Sequence, residues 1–224
     1  MSDGDSRRGT RRSRREERKQ ETRAELIAAA ANVFARRGFH GAAIEQIADE
    51  AGYSTGAVYW HFKGKDELFL AVYEAQAAAR VRDIEDFHKR AKGELPQRAR
   101  AYADQFMARL NDDPEFMVLT LEFLIHAWRN PPLREAFSHR VAWGRLAAAR
   151  LLEEETQRTG YQLPMPAQDL ATVLRELGVG LGLAKLADPD AIPDRLFGDF
   201  IETLFQLMDR TQHEPDPALG ESSR

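Results

Sequence analysis

The sequence predicts an all-α protein, and three observations carry the prediction. Apolar residues recur three and four positions apart in run after run, the spacing of one helix face. The prolines fall between these runs and rarely inside them, where the missing N–H does least harm. No run alternates apolar with polar residues, and no hairpin turn is present. About nine helices are expected: an N-terminal three-helix domain with a helix-turn-helix, then a C-terminal helical bundle.

In chain order, residues 1–18 are polar and arginine-rich without apolar periodicity, so a disordered basic arm is expected. Leu26, Ile27, Ala30, Val33 and Phe34 then mark a helix from about Glu21 that stops at Arg36-Arg37-Gly38. Thr22 with Glu25 has the form of a capping box at its start. Two short helices follow, Ile44–Ala51 and Thr55–His61, and a longer one runs from Asp66 towards Lys89. Beyond Pro96, helices are expected near Gln97–Leu110, Pro114–Trp128, Leu133–Arg158, Gln168–Leu186 and Pro193–Arg210. The expected division is an arm at 1–18, a helix-turn-helix domain at 19–66, a helical body at 67–212 and a flexible tail at 213–224.

Composition narrows the function classes. The chain has 224 residues and no cysteine, which excludes disulfides, zinc–thiolate sites and a cysteine nucleophile. No signal-peptide core and no long apolar run is present, so a cytoplasmic location away from membranes is expected. Residues 1–65 hold 13 Lys/Arg against 9 Asp/Glu, whereas the remainder holds 19 against 27. A basic front on an acidic body directs polyanion binding to one end. The histidines are scattered, HExxH is absent and no glycine-rich loop follows a strand. Neither an enzyme, a metal site nor a cofactor is expected. Gly178-Val-Gly-Leu-Gly182 lacks the full dinucleotide fingerprint and reads as small residues that permit close helix packing.

The informative stretch is 44–62. Ile44, Ile47, Ala48 and Ala51 form one apolar face of a short helix. Gly52 can take the positive φ that a tight reversal requires, and Ser54 is a good N-cap for the next helix. On that helix Val58 and Phe62 can face the core, which leaves Thr55, Ala57, Tyr59, Trp60 and His61 nearer the surface. Exposed aromatic and hydroxyl groups suit a phosphate-lined groove. The small first turn Thr55-Gly56-Ala57 lets a helix N-terminus enter a major groove closely.

These residues resemble the TetR family of transcriptional regulators. The chain supplies Gly38-Phe39, Ile47-Ala48, Ala51-Gly52, Ser54, Gly56, Tyr59, His61-Phe62 and Lys65-Asp66-Glu67-Leu68 in the order of that family's N-terminal signature. The resemblance covers Gln20 to Gln76. It implies that Tyr59, His61 and Lys65 touch phosphates, that Thr55, Gly56 and Ala57 approach base edges, and that Trp60 lies at the same interface. The family commonly has Thr or Ser where this chain has Ala42-Ala43, which removes one hydroxyl able to cap the second helix. A partly buried, structural Tyr59 is the alternative for that residue. The arm Arg7–Lys19 has two readings, a solvated charge run or a minor-groove contact.

The resemblance further implies a homodimer on a palindromic operator, paired through the last two helices. Those carry Leu174, Leu177, Leu181, Leu186, Leu196, Phe200, Leu204 and Leu207. It also implies repression relieved by a small hydrophobic ligand. Candidate ligand contacts are Phe106, Phe123, His126, Trp143 and Arg175, in an aromatic-rich region that is either a solid core or the wall of a pocket. A regulator without an inducer, controlled by a protein partner or by abundance, is the alternative.

Overall fold

The computed structural model describes residues 3–90 and 92–213, with side chains over 14–90, 92–208 and 210. The tail expected to be flexible lies, after His213, outside the described residues. Among the described residues there are nine helices and no strand: α1 (Asp3–Gly41), α2 (Ile44–Ala51), α3 (Thr55–His61), α4 (Lys65–Arg90), α5 (Leu95–Asp112), α6 (Pro114–Trp128), α7 (Pro131–Thr159), α8 (Ala167–Ala187) and α9 (Arg195–His213). The all-α class and the helix order are those the apolar spacing predicted. None of the described helices is long and apolar enough to cross a membrane.

The start of α1 differs from expectation. Residues read as a structureless arm are helical from Asp3. Apolar periodicity reports burial, not helicity, and the arginines and the Glu16-Glu17 pair of this stretch are good helix formers. Thr22 and Glu25 therefore lie inside a helix and cap nothing. Instead the Tyr53 hydroxyl donates to the Glu25 carboxylate and lies 3.4 Å from the Thr22 hydroxyl. The predicted stop is real: Gly38 breaks the helix at φ 69°, a left-handed conformation that glycine adopts without a Cβ penalty.

Two compact units result. The first joins Met1–Ala79 with Val118–Arg140, and the second joins Arg80–Met117 with Val141–Arg224. In the first, α1 contributes Leu26, Ala30, Val33 and Phe34 to a buried core with Ile47, Val58, Phe62, Leu68 and Phe69. The centre of this unit is aromatic. Phe123 stacks on Phe69 with centroids 3.8 Å apart and meets Phe39 and Phe137 edge-on at 5.1 and 5.3 Å. Such pairs add to the burial term about 0.5–1.5 kcal/mol each.

In the second unit Leu95, Ala99, Ala103 and Met107 repeat every four residues along α5, and they pack on Leu170 of α8 and Phe197, Ile201 and Phe205 of α9. Two glycines bring α8 close. A Cβ at Gly178 would lie 2.9 Å from the Phe106 ring, and one at Gly182 would lie 2.7 Å from Leu110. Gly178 and Gly182 thus serve helix packing, as their small size suggested, whereas Gly180 faces open space. A buried polar cluster completes the unit: Arg98 donates to the Glu155 carboxylate, and Arg158 donates to its other oxygen at 2.8 Å. Tyr102 lies beside it, and burial is the main cause that pushes its phenol up to about 12.

Candidate nucleic-acid interface

The geometry of α2 and α3 follows from a few local choices. Ala43 offers no side-chain cap to α2, in keeping with the missing hydroxyl, and Gln46 reaches back to accept the Ala43 N–H at 3.3 Å. At the other end Gly52 adopts φ 73°. The Tyr53 N–H then donates to Ala48 O at 2.9 Å and the Gly52 N–H to Asp49 O at 3.1 Å, the paired bonds of a Schellman stop. Ser54 follows at once as N-cap, its hydroxyl oxygen accepting the Ala57 N–H at 3.2 Å. Three residues, Gly52, Tyr53 and Ser54, thus reverse the chain with few backbone groups left unsatisfied.

Helix α3 is anchored from one side. Val58 and Phe62 are fully buried, and the opposite face is left outward. Tyr59 is 55% and Trp60 62% exposed. Gly56 is exposed, while Thr55, Ala57 and His61 are half-buried. Large aromatic side chains left this open on a short, well-anchored helix are unusual for a solvated face.

Cations stand beside them. Lys19 Nζ lies 5.1 Å from the centre of the Trp60 ring, and the Arg23 guanidinium lies 5.2 Å from that of Phe62. Both side chains are exposed and one turn apart on α1. Desolvation first, then the Lys19 and Arg23 charges, hold His61 below the usual histidine range. The resemblance did not bring Arg23 to this surface. Its four-residue spacing from Lys19 was the available signal.

Lys65 is engaged within the protein. Its ammonium donates to Ala42 O at 2.9 Å and His40 O at 3.4 Å, and lies 4.8 Å from the centre of the Phe39 ring. Arg36 and Glu50 pair at 2.7 Å between α1 and α2, and hydrogen bonding from Arg36 is the main cause that holds the Glu50 carboxyl below its ordinary value.

The five ligand candidates divide between the units. Phe123 is fully buried in the first, within the aromatic centre. His126 is in the same unit, with Nε2 3.1 Å from Asp66 Oδ1. Phe106, Trp143 and Arg175 belong to the second unit. There Phe106 meets Phe197 edge-on at 5.9 Å, Arg175 donates to Glu176 and Trp143 is exposed. Of the leucines expected on a self-pairing surface, Leu174, Leu177 and Leu181 pack on the unit's own core. Leu186, Leu196 and Leu207, with Phe200, remain exposed.

Comparison with known proteins locates the likeness on this region. The family model for bacterial regulatory proteins of the tetR family matches residues 26–72. The chain is 28% identical over 155 residues to the HTH-type transcriptional regulator YfiR of Bacillus subtilis, an alignment that covers 68% of this chain and 72% of YfiR. It is 36% identical over 119 residues to the HTH-type transcriptional activator FasR of Mycolicibacterium smegmatis, spanning 53% of this chain and about half of FasR (52%). Among solved structures, a putative TetR-family regulator from Mesorhizobium loti superposes with a TM-score of 0.69 at 22% identity, covering 87% of this chain and 98% of the other. The fatty acid degradation regulator FadR from Bacillus halodurans superposes at 0.64 and 18%, covering 87% and 97%. Likeness at these identities shows a shared fold.

Proposed function

The chain belongs to the TetR family of DNA-binding transcriptional regulators, and from that premise we propose that it is a repressor that binds a palindromic operator as a homodimer and is released by a small apolar ligand. The observation that carries the DNA contact is the outward face of α3. Tyr59 and Trp60 are more than half exposed on a helix anchored by Val58 and Phe62, with Lys19 and Arg23 alongside. In this reading Tyr59, Trp60, His61 and Lys65 meet the backbone, and Thr55, Gly56 and Ala57 approach base edges in the major groove.

The dimer is supported by α9. Phe197, Ile201 and Phe205 face the core of its own unit, while Leu196, Phe200 and Leu207 lie exposed at helical spacing. A helix apolar on both faces buries the second against a partner. Two copies then present two α3 helices to half-sites of an inverted repeat. Release by a ligand requires tighter ligand binding to the DNA-free state than to the DNA-bound one. Support for an apolar ligand is the aromatic content of the second unit, where Phe106 of α5 packs on Phe197 and Trp143 of α7 is left exposed.

The test is selection of duplexes from a random-sequence pool by the purified protein, followed by footprinting. An inverted repeat protected over two half-sites is expected, and recovery of no preferred sequence at low salt overturns the reading. FasR is named an activator, which favours activation as the second reading. A reporter placed behind the selected duplex separates the two by the sign of its response.

A further inference from the structure

The chain from residue 40 to residue 64 contains α2, the turn and α3, and both of its ends are held by one face of α6. At the first end, Gly38 breaks α1 in the left-handed region, and a Cβ built on it would lie 2.8 and 2.9 Å from the two carboxylate oxygens of Glu122. That carboxylate occupies the space a side chain at position 38 would need. Glu122 Oε2 accepts the N–H of Phe39 at 2.7 Å. A helix break orphans backbone donors, and the carboxylate satisfies one with a charge-assisted bond. Phe39 is itself seated in the aromatic centre against Phe34, Phe69 and Phe123.

At the second end, His126 lies one turn along α6 from Glu122. Its Nε2 is 3.1 Å from Asp66 Oδ1 in the first turn of α4, and its ring centre is 4.8 Å from that of Phe39. Between the two lies Phe123, stacked on Phe69 of α4. Three residues of one helix therefore hold the corner before α2 and the helix that follows α3.

We propose that Glu122 is a positioning residue for DNA recognition: its carboxylate, through the Phe39 N–H, fixes where α6 holds the helix-turn-helix. The inference rests on the reading that two such units bind an inverted repeat. Glu122 itself touches no DNA. Its loss lets the corner at Gly38–Phe39 shift, so α3 is presented less sharply. A protein altered in this way binds its operator more weakly and tolerates altered half-site spacing better.

The experiment uses the full chain and the duplex that the unaltered protein selects from a random pool. Glu122→Ala, Glu122→Asp and Glu122→Gln are compared at a temperature where circular dichroism shows each fully folded. Removal of the partner from the part-buried Phe39 N–H predicts a loss of duplex affinity of about tenfold in Glu122→Ala. The penalty for inserting one or two base pairs between half-sites shrinks as well. Glu122→Gln keeps an acceptor oxygen at the same reach and stays within about twofold of the unaltered protein. Glu122→Asp keeps the charge, shortens the reach and behaves like the alanine variant, which carries the test if Glu122→Ala does not fold. Lowered melting temperatures with unchanged affinity and unchanged spacing discrimination would overturn the proposal. If the unaltered protein selects no inverted repeat, the operator reading fails instead, a distinct result.

Discussion

The ammonium of Lys65 donates to the carbonyl of Ala42 at 2.9 Å, tying the first residue of α4 to the residue pair before α2. Its second acceptor, His40 O at 3.4 Å, lies in the same corner, and the Phe39 ring lies beneath the charge. A residue expected to meet phosphate thus also braces the element that would present it. Replacement by methionine is expected to cost about 1 to 2 kcal/mol of stability, the scale of a hydrogen bond from a charged donor in a partly exposed site. It is also expected to reduce the salt slope of DNA binding by about 0.9, the share of one phosphate contact. Urea denaturation and titrations at several salt concentrations measure the two. A stability loss with an unchanged slope would leave Lys65 a brace alone.

His61 is expected to make DNA affinity depend on pH. Its pKa in the DNA-free fold is lowered, by desolvation first and then by Lys19 and Arg23. A depressed value means that the folded protein favours the neutral ring. The associated stability is present above the unfolded value near 6.5 and is lost as pH falls through the folded one. A phosphate beside the ring favours the protonated form, so binding takes up a proton. Affinity for the selected duplex should rise between pH 8 and pH 6, and His61→Gln should flatten the profile. Parallel profiles for the two proteins would remove His61 from the contact.

Phe123 is fully buried, and its ring stacks on Phe69 at 3.8 Å. Truncation leaves a cavity as well as a lost transfer term, so Phe123→Ala should destabilise the first unit by about 3 to 5 kcal/mol. Phe123→Leu should cost markedly less. Calorimetric melts of the pair give the comparison. A small effect of the alanine change would indicate that this ring lines a space instead of filling a core.

Phe200 is 48% and Leu207 55% exposed on the outer face of α9. An unpaired charge buried on an apolar surface is costly, so Phe200→Glu with Leu207→Glu should convert a dimer to monomers. Sedimentation velocity reads the state directly. The same double variant should retain its helical circular dichroism and lose cooperative binding to the inverted repeat. A dimer that survives both changes places the contact elsewhere.

Much of the recognition element was legible residue by residue. Gly52 and Ser54 signal a left-handed stop and an N-cap from their chemistry alone, and both take those roles through bonds to neighbours within five residues. Val58 and Phe62 are marked as inward by four-residue spacing, which leaves Tyr59 and Trp60 outward by exclusion. The helix boundaries beyond Pro96 follow from prolines and glycines in the same way. Thr22 and Glu25 show where local reading fails. Their spacing fits a cap, but the helix continues past them because charged helix formers need no buried face.

The sequence by itself determined the all-α class, the placement of the turn and the outward face of α3, because each depends on short-range geometry and periodicity. Only the tertiary structure decided that Glu122 meets Phe39, 83 residues away, and that Lys65 closes on Ala42. It likewise decided that Val118–Arg140 joins the unit containing α1 to α3. No periodic pattern encodes a partner distant in the chain. A glutamate on a helix looks like any solvated charge until a glycine without a Cβ leaves room for it.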